Sequence, residues 1–495
     1  MFKSDYLSIK TLGELRKSGY QTLSVKDEMR RNLIQRLQAK ERFFEGIHGY
    51  EKTVIPELEN AILSKHNIIL LGLRGQAKTK LARLLVQLLD EYIPVIEGSE
   101  VNDNPFSPIS IFGKDLIKEK GDSTPITWVH RAERYGEKLA TPDVTVADLV
   151  GDIDPIKAAT QRLSYSDERI LHYGIIPRTN RGIFVINELP DLQPRIQVSL
   201  FNILQEQDIQ IRGFRTRIPM DILLIFTANP EDYTNRGSII TPLKDRIDSQ
   251  IITHYPKTIE IARRITEQES FHDTGRSVEV HIPDLIRNLV EQISFEARES
   301  EFIDHKSGVS ARLAISAFEN LVSQAERRAI LNNETETTIR ISDLYRIVPS
   351  ITGKIELVYE GEQEGMQKVA LALINKAVKT QFRKFFPDPA SFKTGDEKNP
   401  YKTVIDWFTK GRNLDLEFDE SAKTYQEKLA AVDGLKNLAD SRMKLIGDAS
   451  ESLVEEFILE GLSLYSLLGK DWLEESVTFK DMMGSMLKGM KFDEE

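Results

Sequence analysis

Three short apolar runs in the first half of the chain indicate buried strands, because glycine or polar residues bound each of them. They are 67–72 (NIILLG), 182–186 (GIFVI) and 222–227 (ILLIFT). Helical spacing follows the first run at 80–89 (KLARLLVQLL). Strands that alternate with helices are typical of a parallel sheet with helices on both faces. The pattern therefore predicts an α/β fold.

Helical periodicity dominates the rest of the chain. Amphipathic stretches precede the first strand, and from residue 257 to about residue 490 most of the sequence has helical spacing. A polar, turn-rich segment at 388–400 predicts an exposed loop, and alternating residues at 207–219 predict a β-hairpin with Gly213 at its turn. The clearest predicted helices are Met29–Phe44, Thr53–Leu63, Ile259–Gln268, Asp284–Glu299, Ser310–Asn332 and Ser342–Val348.

Composition narrows the possible chemistry. The 495 residues suggest about three domains and carry a net charge of −11. The absence of cysteine excludes disulfides, thiolate metal sites and cysteine nucleophiles. Residues 351–495 hold 20 basic and 27 acidic side chains, so we do not expect nucleic acid as a partner. No apolar run approaches the ~20 residues of a membrane helix and the N-terminus resembles no secretion signal, which predicts a cytoplasmic protein with no membrane partner.

Residues 72–79 (GLRGQAKT) form a candidate phosphate-binding loop between a predicted strand and a predicted helix. They match the pattern G-x-x-x-x-G-K-[ST] except at the second glycine, which is Ala77. Such a loop points backbone N–H groups at phosphate oxygens, while its lysine contacts the β- and γ-phosphates and its hydroxyl contacts Mg²⁺. A Cβ at position 77 tolerates a helical or near-helical backbone but not a left-handed one. The candidate ATP-binding residues are Gly72, Gly75, Gln76, Ala77, Lys78 and Thr79.

The other two predicted strands end in side chains that suit the same chemistry. A nucleoside triphosphatase needs one residue to support the Mg²⁺ shell and an acid to polarise the attacking water. After strand 182–186 these positions hold Asn187 and Glu188. Asn187 brings no charge, so we expect weak Mg²⁺ coupling and slow or conditional hydrolysis. Asn229, after strand 222–227, would lie between the γ-phosphate and Glu188. The alternative for Glu188, an acid at a helix N-terminus, stays open.

Together these motifs resemble those of AAA+ ATPases, in particular the branch that holds MoxR-type ATPases and the ATPase subunit I of magnesium chelatase. The resemblance covers about residues 46–350 and follows the family order from Walker A to sensor 2. Residues 1–45 and 355–495 resemble no family that we can name. The segments that carry the resemblance are 72–79, 148–155 (DLVGDIDP), 173–182, 182–188, 208–218, 227–231 (TANPE), 243–246 (LKDR) and 309–312 (VSAR).

The resemblance implies a fold and a division of the chain. The fold would be an α/β P-loop AAA+ core, a parallel sheet flanked by helices, with a helical lid and an additional helical C-terminal domain. The implied domains are an N-terminal helical segment (1–45), the nucleotide-binding domain (46–256), the lid (257–355) and an acidic helical domain (356–495).

The resemblance also implies an ATPase with ATP and Mg²⁺ as cofactors, in which Thr79 and Asn187 lie at the metal. Arg246, in the LKDR segment, would be an arginine finger that acts across a subunit interface, and Arg312 would be the sensor 2 arginine of the lid. An arginine in either place stabilises charge on the transferring phosphoryl group. A surface salt bridge for Arg246 and a helix N-terminal contact for Arg312 stay open as alternatives. The implied catalytic residues are Glu188, Asn229, Arg246 and Arg312.

AAA+ proteins bind nucleotide between neighbouring subunits, so the resemblance implies a homo-oligomeric ring, expected to be a hexamer. The insert at about 149–177 and the hairpin at 208–218 would face a partner or the pore. Arg212, Arg215 and Arg217 make that hairpin basic, either to contact an acidic partner or as a solvated face.

Four functions are compatible with these residues. The first is a MoxR-like ATPase that remodels or activates a partner protein, such as a von Willebrand A protein. The second is the motor subunit of magnesium chelatase in tetrapyrrole synthesis. Ala77 and Asn187 motivate the third, a nucleotide-dependent scaffold that hydrolyses slowly. The fourth, a nucleic-acid machine, is disfavoured because no zinc ligands, helix-turn-helix or basic domain stand out.

One further motif is interpreted as structural. Residues 448–452 (DASES) match the D-x-S-x-S pattern of a metal-ion adhesion site, but only 43 residues follow them, too few for the rest of such a domain. We interpret Asp448 and Ser450 as helix N-cap residues before a helix at 451–464. Trp407 and Trp472 are expected in helical core positions.

Overall fold

The computed structural model describes residues 4–161, 167–211, 214, 217–230, 238–271, 275–392, 397–473 and 475–482. The chain divides into two compact units, Met1–Tyr255 and Pro256–Glu495. None of the helices in the described ranges has both the length and the apolar composition that crossing a membrane requires.

A five-stranded parallel sheet forms the centre of the first unit, which confirms the predicted α/β fold. Its strands lie in the order β5-β1-β4-β3-β2, and every neighbouring pair is parallel. The inner strands β1 and β4 are buried along their whole length, as expected for a sheet covered on both faces. The strands are β1 (Ile68–Leu71), β2 (Tyr135–Leu139), β3 (Gly182–Asn187), β4 (Ile222–Ala228) and β5 (Ser249–Ile252).

The two edge strands of this sheet are absent from the sequence prediction. β2 reads YGEKL and is only half-buried, while β5 reads SQII and buries one residue of four. An edge strand has a neighbour on one side only, so it does not need the continuous apolar run that reveals β1, β3 and β4.

Helices and short strands surround the sheet. The predicted helix at 80–89 is an α-helix over Lys78–Leu84, here α1, followed by a 3₁₀ turn at Leu85–Leu88. The other helices of the unit are Leu12–Lys17, Val25–Ala39, Val54–Leu63, Ile111–Lys120, Val146–Leu149, Pro155–Gln161, Ile175–Arg178, Pro194–Ser199, Phe201–Gln205 and Thr241–Lys244, with 3₁₀ turns at Ser4–Ser8, Gly121–Ser123, Arg131–Arg134, Glu168–Ile170 and Leu189–Asp191.

The N-terminal helix Val25–Ala39 packs against one face of the sheet. Its buried Val25, Met29 and Leu33 share a core with alternate residues of β1, β3 and β4. Glu28 on the same helix forms a buried two-pronged ion pair with Arg134, at 2.8 Å for both contacts. The helix Val25–Ala39 therefore shares the core of the sheet, and the proposed boundary at 45/46 stays a prediction.

The predicted insert and hairpin both contain paired strands. Gly151–Ile153 pairs antiparallel with Leu171–Tyr173, and Asp208–Ile209 pairs antiparallel with Ile218–Pro219. Arg217 forms an ion pair with Asp208 at 3.3 Å on the hairpin. Gly213, Arg212 and Arg215 lie outside the described residues. A further antiparallel pair joins Tyr92–Ile96 to Ile126–His130.

The second unit is helical, as predicted, and contains an extended hydrophobic core that runs from Ile282 to Phe479. Apolar residues on both sides of position 355 share this core, and the separate lid and C-terminal domains stay predictions. The long helices are α2 (Ile259–Glu269), α3 (Asp284–Arg298), α4 (Arg312–Leu331), α5 (Met366–Phe385) and α6 (Glu451–Leu464); shorter ones are Val348–Thr352, Tyr359–Glu364, Lys402–Thr409, Ala422–Ala430, Leu435–Asp440 and Met443–Ile446, with 3₁₀ turns at Ser342–Ile347 and Pro389–Ser391.

Two small sheets in this unit were not predicted. Glu279–His281 pairs parallel with Glu336–Thr338. Leu414–Glu417 and Gly469–Trp472 both pair antiparallel with Ser476–Lys480. The expectation of a helical core position for Trp472 was wrong, because it lies on a strand with 41% of its surface exposed, whereas Trp407 lies on a helix and is buried.

Candidate active site

The phosphate-loop sequence connects the end of β1 to the start of α1. The Gly72 N–H donates to the Ala228 carbonyl of β4 at 3.1 Å, which holds the start of the loop against the neighbouring strand. A Cβ on Gly72 would lie 1.9 Å from Thr253 Oγ1 and 2.2 Å from Gln76 Oε1, so only glycine fits there. Gly75 has φ +75°, a left-handed conformation that also favours glycine.

Ala77 departs from the conformation expected for its Cβ. It lies immediately before α1 with φ +56° and ψ +19°, in the left-handed region that the sequence argument excluded. An L-residue with a Cβ pays roughly 1–2 kcal/mol there relative to the right-handed region. The loop thus keeps the backbone geometry that glycine normally provides, at the expense of local strain.

Lys78 is buried within the loop that it would use to bind phosphate. Its Nζ donates to the carbonyl oxygens of Gly72 and, at 3.1 Å, of Leu73. These contacts fold the side chain back over the loop and away from solvent. Only 7% of the surface of Lys78 is exposed. The ammonium group is therefore already desolvated and positioned beside the loop backbone.

A set of contacts outside the motif fixes the loop from the other side. Thr253, just after β5, donates its hydroxyl to Gln76 Oε1 at 2.7 Å. The Tyr50 hydroxyl donates to the carbonyls of Gln76 at 3.0 Å and His254 at 2.8 Å, and burial raises the pKa of Tyr50 to about 12. Tyr255 donates its hydroxyl to the Arg74 carbonyl at 2.9 Å. Sequence reasoning missed these residues because no motif contains them.

The ends of β3 and β4 bring polar side chains to the loop. Thr79 Oγ1 donates to Asn187 Oδ1 at 3.2 Å, so the two residues predicted to lie at Mg²⁺ are in direct contact. Thr227 Oγ1 donates to the same amide oxygen at 3.2 Å and accepts from the Glu188 N–H at 3.1 Å. Thr227 was not predicted, although it lies in the TANPE segment. Through these two hydrogen bonds the amide of Asn187 links α1 to β4.

Glu188 has a strained backbone where β3 ends. Its φ of +56° and ψ of +51° are left-handed, which costs a non-glycine residue of order 1–3 kcal/mol. Strain of this kind concentrates where a side chain must have a particular direction. Asn229 directly follows β4 and is half-buried. Because β3 and β4 are parallel neighbours, both residues lie at the same edge of the sheet.

The two predicted arginines have different surroundings. Arg246 is partly exposed and follows the helix Thr241–Lys244. It donates from Nε to Gln205 Oε1 at 3.1 Å and from Nη1 to the Pro242 carbonyl at 2.7 Å, and its guanidinium lies 4.8 Å from the Phe201 ring centroid.

Arg312 belongs to the second unit, where it is the first residue of α4. Its backbone N–H donates to Ser310 Oγ at 3.1 Å. The sensor 2 role that the sequence predicts for Arg312 stays a prediction.

The residues at this edge fit a magnesium nucleotide better than an isolated metal ion. Throughout the described ranges no group of three or more His, Asp or Glu side chains could hold a metal. Thr79 and Asn187 offer one hydroxyl and one amide oxygen. Mg²⁺ is commonly held by one or two protein ligands together with substrate phosphates and water. The donor set therefore suits an ion that arrives with phosphate.

Comparison with known proteins supports this reading of the fold. Residues 160–252 match the family model described as the Sigma-54 interaction domain, a segment that includes Glu188, Asn229 and Arg246. No curated protein matches the chain. The parallel sheet, the loop between β1 and α1 and this match together give an α/β P-loop AAA+ fold, while the MoxR branch stays a prediction.

Solved structures with similar chains include the following. A chain from the cryo-EM structure of the complex between subunits BchI and BchD of magnesium chelatase gives 19% identity over 65% of this chain and 98% of that chain, with a TM-score of 0.33. NtrX from Brucella abortus gives 13% identity over 72% and 67%, with a TM-score of 0.37. A mutant of RuvB from Thermotoga maritima gives 11% over 78% and 96%, with a TM-score of 0.35. At these values the likenesses say nothing of activity.

Proposed function

We propose that the chain is an AAA+ ATPase that binds ATP with Mg²⁺ and hydrolyses it in a homo-oligomeric ring to remodel or activate a partner protein. The observation that carries the proposal is the hydrogen bond from Thr79 to Asn187, next to Glu188 at the end of β3. It brings a loop hydroxyl, an amide and a carboxylate to one edge of a parallel sheet, where ligands of α/β proteins bind.

Each residue has a role in that reaction. The loop N–H groups and the α1 N-terminus bind phosphate oxygens, and Lys78 exchanges its carbonyl partners for the β- and γ-phosphates. Mg²⁺, when bound, neutralises charge on the phosphates. Glu188 accepts the proton of the water that attacks the γ-phosphorus, as the bond to the β–γ bridging oxygen breaks and ADP and phosphate form. Asn229 orients the γ-phosphate or that water.

The surroundings of Arg246 support a role in a second subunit's site. Two hydrogen bonds and an aromatic ring fix its side chain, yet the residue stays partly exposed. An arginine finger whose side chain is already fixed loses less side-chain entropy when it contacts a γ-phosphate. The client stays open between a von Willebrand A protein or similar partner and the magnesium chelatase complex.

A second candidate is a nucleotide-dependent scaffold with little turnover. The observation that favours it is Asn187, which offers a neutral oxygen already occupied by two hydroxyl donors. An uncharged group there stabilises a metal shell less than a carboxylate would. The scaffold and the motor share ATP binding and differ in turnover.

The test is ATP hydrolysis by the purified chain over a series of protein concentrations, with Glu188→Gln beside the wild type. We expect specific activity to rise with concentration, and Glu188→Gln to bind ATP but lose about 10²–10⁴ in turnover, the usual contribution of a general base. Glu206→Gln, an exposed acid of the same unit, is the matched control. Wild-type turnover equal to that of Glu188→Gln at every concentration would contradict the motor and favour the scaffold.

A further inference from the structure

Thr227, near the end of β4, lies where the neutral side chains of the nucleotide edge meet. Only 1% of its surface is exposed, and its strand is buried along its whole length. The proposed reaction uses Thr79, Asn187 and Glu188 but not Thr227. A buried hydroxyl needs hydrogen-bond partners to offset its loss of water, so those partners indicate what the residue does.

The first partner of Thr227 is the backbone of Glu188. The pairing of β3 with β4 ends at Ile186 opposite Phe226, and Glu188 lies beyond the last paired residue of β3. Its N–H donates instead to Thr227 Oγ1 at 3.1 Å, at the point where the backbone is left-handed with φ +56°. Such a backbone persists at a non-glycine residue only when surrounding contacts hold it. This hydrogen bond therefore helps to set the direction of the Glu188 side chain.

The second partner of Thr227 is the side-chain amide of Asn187. Because Thr227 Oγ1 accepts from the Glu188 N–H, its own proton is available to Asn187 Oδ1, which lies 3.2 Å away. The same amide oxygen accepts from Thr79 Oγ1 at 3.2 Å. A carbonyl oxygen has two lone pairs, and two hydroxyl donors occupy both of them. The orientation of the Asn187 amide is therefore fixed.

The three hydrogen bonds form a relay across the edge of the sheet. Thr79 donates its proton to Asn187, which leaves the lone pairs of Thr79 Oγ1 for a cation. The relay continues from the amide to Thr227 and ends at the N–H of Glu188. Every link has one donor and one acceptor, so no two links compete for a proton. Thr227 thus connects the metal position to the backbone of the acid.

We propose that Thr227 is a positioning residue for ATP hydrolysis, which holds the Glu188 backbone and the Asn187 amide in one arrangement. The inference rests on the proposed function, because Glu188 must act as the general base. A general base must lie within hydrogen-bond reach of the attacking water, and a small displacement removes much of its effect. The Thr227 hydroxyl therefore contributes to the rate of hydrolysis and little to ATP affinity.

The experiment measures kcat and KM for ATP hydrolysis by the full-length chain, and the Kd of ATP, for Thr227→Val and Thr227→Ser. Valine has the shape of threonine without the hydroxyl, and serine keeps the hydroxyl. We expect Thr227→Val to lower kcat by about 10–100-fold. Its Kd for ATP should change by less than about threefold, because the lost hydroxyl acts on the chemical step. Thr227→Ser should keep kcat within about threefold of the wild type, since it restores both hydrogen bonds.

A double-mutant cycle tests whether Thr227 acts through Glu188. Thr227→Val should cost less than about threefold in the Glu188→Gln background, where no base is left to position. A purely structural role would cost the same factor in both backgrounds. Thr124→Val is the matched control. Thr124 is a buried threonine of the same unit whose hydroxyl donates to the Gly121 carbonyl at 2.6 Å, and its loss should leave kcat unchanged.

Three results would overturn the inference alone: wild-type kcat in Thr227→Val while Glu188→Gln is slow, Thr227→Ser as slow as Thr227→Val, or equal costs of Thr227→Val in both backgrounds. A wild type no faster than Glu188→Gln would instead remove the proposed function, and this inference with it. If circular dichroism shows that Thr227→Val does not fold, Thr227→Ala takes its place, because alanine also lacks the hydroxyl.

Discussion

Two clusters of polar side chains, one in each unit, are built in different ways. At the nucleotide edge of the first unit the meeting side chains are neutral: Thr79, Thr227 and Asn187 bond to one another. In the second unit the charged groups of Arg328 and Lys470 are instead buried against the carboxylates of Asp343 and Glu460. Neutral donors and acceptors can change partners when a charged ligand arrives, whereas a closed ion pair is costly to open. The first arrangement suits binding, and the second suits a fixed scaffold.

Exposure separates these buried pairs from surface pairs such as Arg327 with Asp419, whose partial exposure to water makes them nearly neutral for stability.

The largest expected effect tests the closed pair. Asp343→Asn leaves the Arg328 guanidinium, which is fully buried, without its counter-charge and turns an amide N–H toward the Arg340 N–H. Breaking a buried pair from one side typically costs about 3–5 kcal/mol. We expect that loss in the free energy of unfolding measured in urea.

Asp419→Asn is the matched control for this prediction, because it breaks an Arg–Asp pair that is about half exposed. Its expected cost is under about 1 kcal/mol. Equal costs for the two variants would show that burial does not make the Arg328–Asp343 pair costlier to break than an exposed pair.

A smaller effect concerns a buried acid that has no full counter-charge. Burial raises the pKa of Glu291 on α3 to about 7, opposed by the Thr266 hydroxyl and by Arg298 and Arg263, while Glu267 adds to the rise. The folded pKa exceeds the unfolded value, so the folded state binds the proton more tightly. Stability is therefore full below the unfolded pKa and falls as pH rises toward 7, by about 2 kcal/mol between pH 5 and pH 7.

Glu291→Gln should remove this pH dependence and stabilise the chain at pH 7. The measurement is urea unfolding of both proteins at several pH values between 5 and 7. Parallel curves for the variant and the wild type would show that Glu291 titrates alike in both states.

Sequence patterns predicted the inner parts of both units better than their edges. β1, β3 and β4 are visible as apolar runs because both of their faces are covered, while β2 and β5 are not. Ser450 caps α6 as predicted, but Asp448 accepts from the Asp284 N–H at 2.9 Å, at the start of α3. A local pattern indicates that a residue caps a helix, and only the fold decides which helix.

The same limit applies to the site. The motif residues are contiguous in sequence, and their spacing made them visible. Tyr50 and Thr253 hold the loop from positions 26 and 177 residues away from Gln76, so no local pattern includes them. The left-handed backbone of Ala77 is a second example, because the surrounding contacts override the preference of its Cβ.

The substitution Asn187→Asp adds a negative charge to the neutral cluster of Thr79, Thr227 and Asn187. A carboxylate keeps both hydroxyl donors and adds a charge beside the metal position. We expect turnover and apparent Mg²⁺ affinity to rise several-fold, measured as ATP hydrolysis over a Mg²⁺ titration. Asn202→Asp, which adds the same charge at an exposed position on the helix Phe201–Gln205, is the control. Unchanged turnover in Asn187→Asp would mean that the amide does not limit the reaction.

The smallest effect is expected at Ala77. Ala77→Gly removes the left-handed penalty of the Cβ but adds freedom to the unfolded chain, so we expect a net gain of about 0.5–1 kcal/mol in unfolding free energy. Ala82→Gly, in the helical interior of α1, should instead destabilise by about 1 kcal/mol. A loss of stability in Ala77→Gly would show that the loop does not keep its left-handed conformation.

The most direct test of the central proposal, that the nucleotide edge is completed by Arg246 of a second copy, is to mix two inactive variants. Lys78→Ala has an intact finger, and Arg246→Ala has an intact loop. We predict that each alone is inactive and that an equal mixture recovers about a quarter of wild-type ATP turnover, because a quarter of the head-to-tail contacts in a ring would join an intact loop to an intact finger. A mixture that stays inactive while both variants remain folded, or an Arg246→Ala protein that hydrolyses ATP at the wild-type rate, would contradict it.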